Sequence, residues 1–202
     1  GLDYSTEALP MEYPTYGSAD LRTPAFHAEY ESGSAVTCLS YCGYVSYPGK
    51  RPLDGLPTAY VESDSEADTL EITLTDPLTG LKIILSYSVF EDYDVITKSV
   101  RAVNESTQSI DVQSILSSTT YLFDKNYEFV HLTGAWARER HIQKQPLMNG
   151  TMQIDSKRVA SGHIHSPFLA LARPWTTETQ GEVYGYSFVY SGNFIMQAET
   201  NQ

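Results

Sequence analysis

Cysteine is scarce in this sequence, which has only Cys38 and Cys42 among its 202 residues. If both lie on one strand they share a face, but ~13 Å separates them at about 3.3 Å per residue, which is too far for a disulfide. Two thiols without a histidine cluster close in sequence also make a poor metal site. We therefore expect two half-buried free thiols in a reducing compartment, and no metal or other cofactor.

Positive charge is scarce as well, since 13 lysine and arginine residues stand against 25 acidic residues and give a formal net charge of −12. This balance argues against nucleic acid as a partner, because phosphate binding needs a positive surface, and against an anionic membrane surface. No apolar run approaches the roughly 20 residues that span a bilayer, and the first ten residues, GLDYSTEALP, lack the segments of a signal peptide. A neutral ligand such as a sugar is compatible with this composition, which does not itself imply one.

Both ends of the chain resemble the boundaries of a piece cut from a longer protein. The chain starts at Gly1 rather than Met, and it ends in MQAETNQ directly after a predicted strand. With 41% hydrophobic and 12% aromatic residues it can still bury a sizeable core. We expect one domain over residues 1–202 that is incomplete at both ends.

Alternation of apolar and polar side chains, the pattern of a half-buried strand, recurs along the chain. It predicts strands over 70–75, 81–90 and 95–103, with turns over 76–80 and 91–94. It also predicts one long or two short strands over 109–123, and a hairpin over 182–199 that turns at Ser191-Gly192-Asn193. Only 137–147 has weak helical character, and it lacks a regular apolar stripe. Strands at short spacing with polar turns predict an all-β, antiparallel sandwich.

Two histidines, His163 and His165, are separated by one residue. In an extended segment their imidazoles lie on one face and could hold a metal ion if a third ligand converged. Since no such ligand has a recognisable spacing, we expect a structural or interface role for this pair.

Two groups of carboxylates are the other candidates for chemistry. Asp64, Glu66 and Asp68 alternate along an acidic stretch, for which a solvated loop is the better interpretation and a calcium site a remote one. Asp92 and Asp94 flank a tyrosine, and paired carboxylates can act as acid and base in glycoside hydrolysis. Because they lie in a short polar connection, we interpret them as turn residues.

Trp136 is the single residue most suited to ligand contact, and it lies in the stretch HLTGAWARERH (131–141). An indole can stack on the C–H face of a sugar while its N–H remains free to donate a hydrogen bond. The adjacent arginines can bind carboxylates or hold a loop in place. From the residues alone, an anchored bend that buries the ring against another domain is the stronger interpretation, and a ligand loop the weaker.

Six long blocks of sequence, in one order, resemble the N-terminal β-domain of the α-galactosidases of glycoside hydrolase family 36. The resemblance covers nearly the whole chain, and several long blocks at similar spacing are more specific than any single motif. The blocks are LPMEYPTYGSADLRTPAF (9–26), GLPTAYVE (55–62), SYSVFEDYDVITKSVR (86–101), GAWARERH (134–141), SGHIHSPFLALAR (161–173) and GEVYGYSFVYSGNF (181–194).

The resemblance implies an antiparallel β-supersandwich of the galactose mutarotase type, followed by a catalytic (β/α)8 barrel and a C-terminal β-domain that this chain does not contain. Such enzymes retain anomeric configuration and hydrolyse terminal α-1,6-galactosides such as melibiose and raffinose. Bacterial members are typically cytoplasmic homotetramers. Both catalytic aspartates lie in the barrel, so we expect no catalytic residue in this chain. It would instead shape the active-site mouth and the subunit contacts.

The resemblance also changes the interpretation of Trp136. The tryptophan of the family's Gly-Ala-Trp stretch lies at the substrate pocket, and Trp136 occupies that position here, which implies a substrate-binding role. Arg138, Arg140, His163 and His165 match the family's Arg-Glu-Arg and His-x-His. We expect these four in the loop scaffold or on the face towards the barrel.

Two other classes of function stay open at this stage. An autonomous carbohydrate-binding module is compatible with the 15 tyrosines and with a neutral ligand. A mutarotase-like epimerase shares the supersandwich architecture and needs a histidine acid and a glutamate base that face one sugar. His131, His163, His165 and Glu139 are available for those two roles.

Overall fold

The computed structural model describes residues 9–18 and 21–200. The expectations about the two chain ends concern residues 1–8 and 201–202, which lie outside this part. The strands of the described residues are β1 (Phe26–Tyr30), β2 (Ser40–Pro48), β3 (Asp68–Asp76), β4 (Leu81–Phe90), β5 (Val95–Asn104), β6 (Ile110–Ile115), β7 (Glu128–Ala135), β8 (Arg138–Pro146), β9 (Gly150–Ser156), β10 (His165–Ala172), β11 (Val183–Ser187) and β12 (Phe194–Thr200). Two 3-10 helices, Asp64–Glu66 and Glu91–Tyr93, also form. All pairings between these strands are antiparallel, which confirms the predicted fold class.

The strands belong to two compact units, each with a four-stranded and a two-stranded sheet. The first unit comprises the described residues up to 52 together with 59–121, and the second comprises 53–58 together with 122–200. In the first unit the sheets have the strand orders β2-β3-β4-β5 and β1-β6. In the second they have the orders β11-β10-β7-β8 and β12-β9.

The first unit buries one face of each of its sheets. Along β1, and over residues 81–85 of β4, every second side chain is buried, so each of these segments turns one face inwards. Phe26 of β1 and Ile83 of β4 are fully buried and belong to the same hydrophobic cluster. Each contributes roughly 1.5–3 kcal/mol through its removal from water. The turn 76–80 joins β3 to β4 as predicted, and Gly80 has a φ of +69°.

The second unit has its own core, to which strands of both sheets contribute. Phe129 of β7, Leu169 of β10, Ile154 of β9 and Phe194 of β12 are all buried in one cluster. Beside this core, the mostly buried guanidinium of Arg173 lies 4.1 Å from the centre of the Tyr127 ring and pairs with Asp124 and Glu182. These contacts tie the segment before β7 to the ends of β10 and β11.

The weak helical prediction for 137–147 is wrong, because these residues form strand β8. Its register aligns Ile142 with Leu132 and Lys144 with Val130 of β7. All nine residues of β8 are exposed, since it lies at the edge of its sheet. Its polar side chains carry no strand signal, and the backbone hydrogen bonds to β7 decide its conformation instead.

The predicted hairpin over 182–199 is also wrong in its pairing. Both strands exist, but β11 pairs with β10 and β12 pairs with β9. A turn signal between two strands indicates a change of direction and does not select the partner. In the segment 109–123, only Ile110–Ile115 forms a strand, and it pairs with β1.

The two cysteines are more open than predicted. Cys38 and Cys42 are both free and exposed, rather than half-buried. Cys42 lies on β2, an edge strand of which most residues are exposed, and Cys38 precedes that strand. Within residues 9–18 and 21–200, no helix is long and apolar enough to span a bilayer.

Candidate functional site

Trp136 and Ala137 form the two-residue connection between β7 and β8. The strands are paired up to Ala135 and Arg138, and their register shifts between Thr133 and Ala135. Between these pairs β7 has one residue, Gly134, and β8 has two, Glu139 and Arg140, so the extra residue of a β-bulge lies on β8. Bulges bend the strand that carries them, and this one lies just after the turn that carries Trp136.

Gly134 is required by the close approach of two neighbouring segments. A Cβ atom at this position would lie 2.5 Å from the carbonyl oxygen of Arg138, 2.7 Å from Cα of Glu139 and 3.1 Å from the carbonyl oxygen of His163. All three are backbone atoms, which cannot rotate away as a side chain can. The glycine therefore allows β8 and the segment before β10 to close around the base of the turn.

The indole of Trp136 is 84% exposed. The described residues of this chain thus do not bury the ring. The backbone of the turn sets the direction in which the Cα–Cβ bond of Trp136 points. Ala137 has a φ of +61°, a left-handed conformation that is uncommon outside glycine, asparagine and aspartate. The N–H of Ala137 donates a hydrogen bond of 2.9 Å to Oε1 of Glu139.

The other residues of the predicted stretch lie on the exposed strand β8. Arg138, Arg140 and His141 are exposed, and Arg140 also has a left-handed φ of +61°. Sequence reasoning treated Glu139 only as a candidate base for the epimerase alternative. Its hydrogen bond to the Ala137 N–H became visible only in the structure.

His163 and His165 do not act as one pair. His163 is exposed in a bend before β10, and its carbonyl oxygen approaches Gly134. His165 begins β10, and its ring lies 5.8 Å from that of His131 on β7. The structure therefore replaces the predicted His163/His165 pair with a cross-strand pair, His131/His165.

His131 is buried on the core side of β7, where it packs edge-on against Phe129 at 5.5 Å. Its burial lowers its pKa, and the nearby His165 lowers it further. Nδ1 of both imidazoles is buried without a hydrogen-bond partner among the described residues. A neutral imidazole suits this apolar place. No sequence signal indicated it, because His131 lies between two apolar residues, Val130 and Leu132.

Four of the five candidate carboxylates lie in short connections between strands, as predicted, and the fifth, Asp68, lies in a strand. Asp64 and Glu66 lie in a 3-10 helix, and Asp68 begins β3. Asp92 lies in the second 3-10 helix, and Asp94 ends it in a left-handed conformation with a φ of +51°. Among residues 9–18 and 21–200, no three His, Cys, Asp or Glu side chains are grouped as a metal site would need.

Comparison with known proteins identifies the family of the chain. Residues 2–202 match the family described as the glycosyl hydrolase family 36 N-terminal domain. The chain is 45% identical over 199 residues to alpha-galactosidase AgaA of Geobacillus stearothermophilus, covering 98% of this chain and 27% of that protein. It is 40% identical over 189 residues to a probable alpha-galactosidase C of Aspergillus flavus, covering 93% of this chain and 25% of the relative.

Solved structures show the same fold. Crystal structures of AgaA variants in complex with raffinose and with stachyose superimpose with a TM-score of 0.97 at 45% identity, over 98% of this chain and 28% of theirs. The chain thus has the β-sandwich architecture of these N-terminal domains. It belongs to the N-terminal domain family of glycosyl hydrolase family 36. It spans about a quarter of the length of the relatives that it matches.

Proposed function

We propose that this chain is the non-catalytic N-terminal part of a retaining α-galactosidase that hydrolyses terminal α-1,6-galactosides such as melibiose and raffinose. Its relatives are alpha-galactosidases, two of whose structures hold raffinose and stachyose. The remaining length of such an enzyme would contain the catalytic (β/α)8 barrel and a C-terminal β-domain. This part would shape the mouth of the active site and the contacts between subunits.

Trp136 is proposed as the sugar contact of this part. The observation that carries the proposal is an 84% exposed indole on a turn whose base is closed around Gly134. Leaving so large an apolar ring in water is unfavourable unless a partner covers it. A pyranose offers an apolar C–H face for the ring and hydroxyl groups for the indole N–H.

The proposal that this chain is not catalytic is tested by comparing it with the full-length enzyme on a chromogenic α-galactoside. We expect turnover by the full-length enzyme and none by residues 1–202 alone, because the two catalytic carboxylates are assigned to the barrel. Turnover by the purified chain above a buffer control would contradict the proposal that the chemistry lies elsewhere.

The role of Trp136 is tested in the full-length enzyme by Trp136→Ala. We expect kcat/KM for raffinose to fall by about ten- to hundredfold, which corresponds to about 1.4–2.8 kcal/mol of lost binding to the transition state. The matched control is Trp175→Ala, because Trp175 is 61% exposed in a different turn of the same unit. Equal kcat/KM values for the wild type and Trp136→Ala would reduce Trp136 to a surface residue.

An autonomous carbohydrate-binding module is the second candidate, because Trp136 is open to a sugar within this chain itself. Titration of residues 1–202 with melibiose or galactose, followed by Trp136 fluorescence in a Trp175→Phe background, separates the two. A saturable change would favour the module, and none is expected if the barrel supplies most of the pocket.

The epimerase alternative is the least compatible with the geometry. His131 is only 8% exposed, so a sugar has no access to it. The carboxylate of Glu139 accepts a hydrogen bond from a backbone N–H of the turn. We propose in addition that the full-length enzyme is a cytoplasmic homotetramer. Sedimentation of the full-length enzyme as a monomer would contradict that assembly.

A further inference from the structure

The described residues leave the Trp136 ring largely exposed, so the backbone of the turn sets the direction in which the Cα–Cβ bond of Trp136 points. We propose that Glu139 is a positioning residue for Trp136. Its carboxylate accepts the hydrogen bond of the Ala137 N–H and thereby holds the peptide group that joins Trp136 to Ala137. The consequence for sugar binding rests on the proposed function of Trp136, whereas the positioning itself is a property of this chain.

The turn needs such a restraint because its conformation is not intrinsically favoured. Two-residue hairpin loops prefer turns in which the first central residue has a positive φ, and often glycine or asparagine occupies it. Here the first central residue, Trp136, is absent from the described non-glycine residues with positive φ, while the second, Ala137, has a φ of +61°. Glycine or asparagine is the usual residue at a second position of this kind. Alanine adopts it at a cost that other contacts must offset.

The hydrogen bond restrains ψ of Trp136, the backbone torsion that helps to set the direction of its side chain. The Ala137 N–H belongs to the peptide plane that follows Trp136, so its direction reports ψ of Trp136. The 2.9 Å contact to a carboxylate oxygen is a charge-assisted hydrogen bond, which is stronger than one between neutral groups. Fixing this plane restricts the direction in which the Cα–Cβ bond of Trp136 points from the turn.

Glu139 is itself held firmly enough to act in this way. Its Cα lies where a side chain at position 134 would be, so Gly134 lets the backbone of Glu139 pack tightly against β7. On its other side, Arg140 adopts a left-handed conformation with a φ of +61°. The restraint therefore runs from Gly134 to the backbone of Glu139, then through its carboxylate to the amide that follows Trp136.

Two variants of Glu139 separate an acceptor role from a general surface role. Glu139→Gln keeps a carbonyl oxygen at the same place, whereas Glu139→Leu removes every acceptor. The control is Gln145→Leu, because Gln145 is also exposed and lies on the same strand. In the 202-residue chain, the order parameter of the Ala137 backbone N–H is measured by nitrogen-15 relaxation.

We expect the order parameter of the Ala137 N–H to stay near that of the wild type, about 0.8, in Glu139→Gln and Gln145→Leu, and to fall below about 0.6 in Glu139→Leu. Exchange of the Ala137 amide with solvent should accelerate only in Glu139→Leu. An unchanged order parameter in Glu139→Leu, or a Glu139→Gln variant as mobile as Glu139→Leu, would overturn the proposal.

In the full-length enzyme, Glu139→Leu should lower kcat/KM by about three- to tenfold, the effect of one lost hydrogen bond, mainly through a higher KM. Glu139→Gln should restore the wild-type value within about twofold. If Trp136→Ala leaves kcat/KM unchanged, the sugar contact is refuted while the relaxation measurements still decide the positioning. If Trp136→Ala is impaired and Glu139→Leu is not, the positioning is refuted and the sugar contact stands.

Discussion

Gly134→Ala tests whether the base of the Trp136 turn is as tightly closed as the structure shows. The added Cβ would lie 2.5 Å from the carbonyl oxygen of Arg138 and 2.7 Å from Cα of Glu139, where an ordinary contact is 3.4–4 Å. Both are backbone atoms of β8, so relief requires β8 to move away from β7. We therefore expect strain rather than a tolerated substitution.

Two opposing effects set the size of the change. Replacing glycine by alanine stabilises a protein by about 0.4–1 kcal/mol where the backbone accepts it, because the unfolded chain loses freedom. Inserting a methyl group into a closely packed place costs about 1–3 kcal/mol. Since all three nearest atoms at Gly134 are backbone atoms, the packing cost should exceed the gain from the unfolded chain. The free energy of unfolding should therefore fall by about 1–2 kcal/mol.

Urea unfolding followed by circular dichroism measures this change. The midpoint should fall for Gly134→Ala with an unchanged slope. The matched control is Gly185→Ala on β11 of the same sheet, where the added Cβ would meet only Cε2 of Phe168 at 3.9 Å. A midpoint for Gly134→Ala equal to or above that of Gly185→Ala would refute the argument.

The remaining predictions concern pH and backbone strain in the same unit. Burial lowers the pKa of His131 below the ordinary histidine value of 6.5, so below that value the unfolded chain binds more protons than the folded one. Stability is then complete above about pH 6.5 and falls as the pH drops towards the lowered pKa, by at most about 1.4 kcal/mol per pH unit. Urea unfolding between pH 5 and 8 should show a smaller dependence in His131→Gln than in the wild type, and identical slopes would contradict this. Ala137→Gly should raise the free energy of unfolding by about 1 kcal/mol, because glycine adopts the left-handed conformation without strain; a lower midpoint in urea would show that the conformation at Ala137 is not costly.

Three strands of the first unit were predictable from local patterns, whereas β1 and β2 of the same unit were not predicted. The predicted segments 70–75, 81–90 and 95–103 correspond to β3, β4 and β5. Short turns join these strands in chain order, so neighbours in sequence are also neighbours in the sheet. For these three strands the local sequence pattern therefore predicts both their positions and their pairing.

The second unit shows where that reasoning stops. Strand β8 has no apolar alternation, and β11 and β12 pair with β10 and β9 instead of with each other. These pairings join residues far apart in sequence, and they follow from burying Phe129, Ile154, Leu169 and Phe194 in one core. No local pattern contains that information.

The candidate site divides in the same way. The residue type and its flanking glycine and alanine singled out Trp136. The residues alone favoured an anchored bend at this position, and the family resemblance favoured a sugar contact instead. The exposure of its ring, the hydrogen bond from Ala137 to Glu139 and the pairing of His131 with His165 came only from the folded chain.

By itself the sequence determined the all-β class, the family and the residue that we propose to contact sugar, because composition, period-two patterns and long blocks of residues are properties of the chain in one dimension. The tertiary structure alone decided which strands pair, how tightly β8 closes on Gly134 and what holds the turn at Trp136. Those depend on backbone atoms that approach within a few ångströms only when distant segments pack around a common core, and no spacing along the chain encodes that distance.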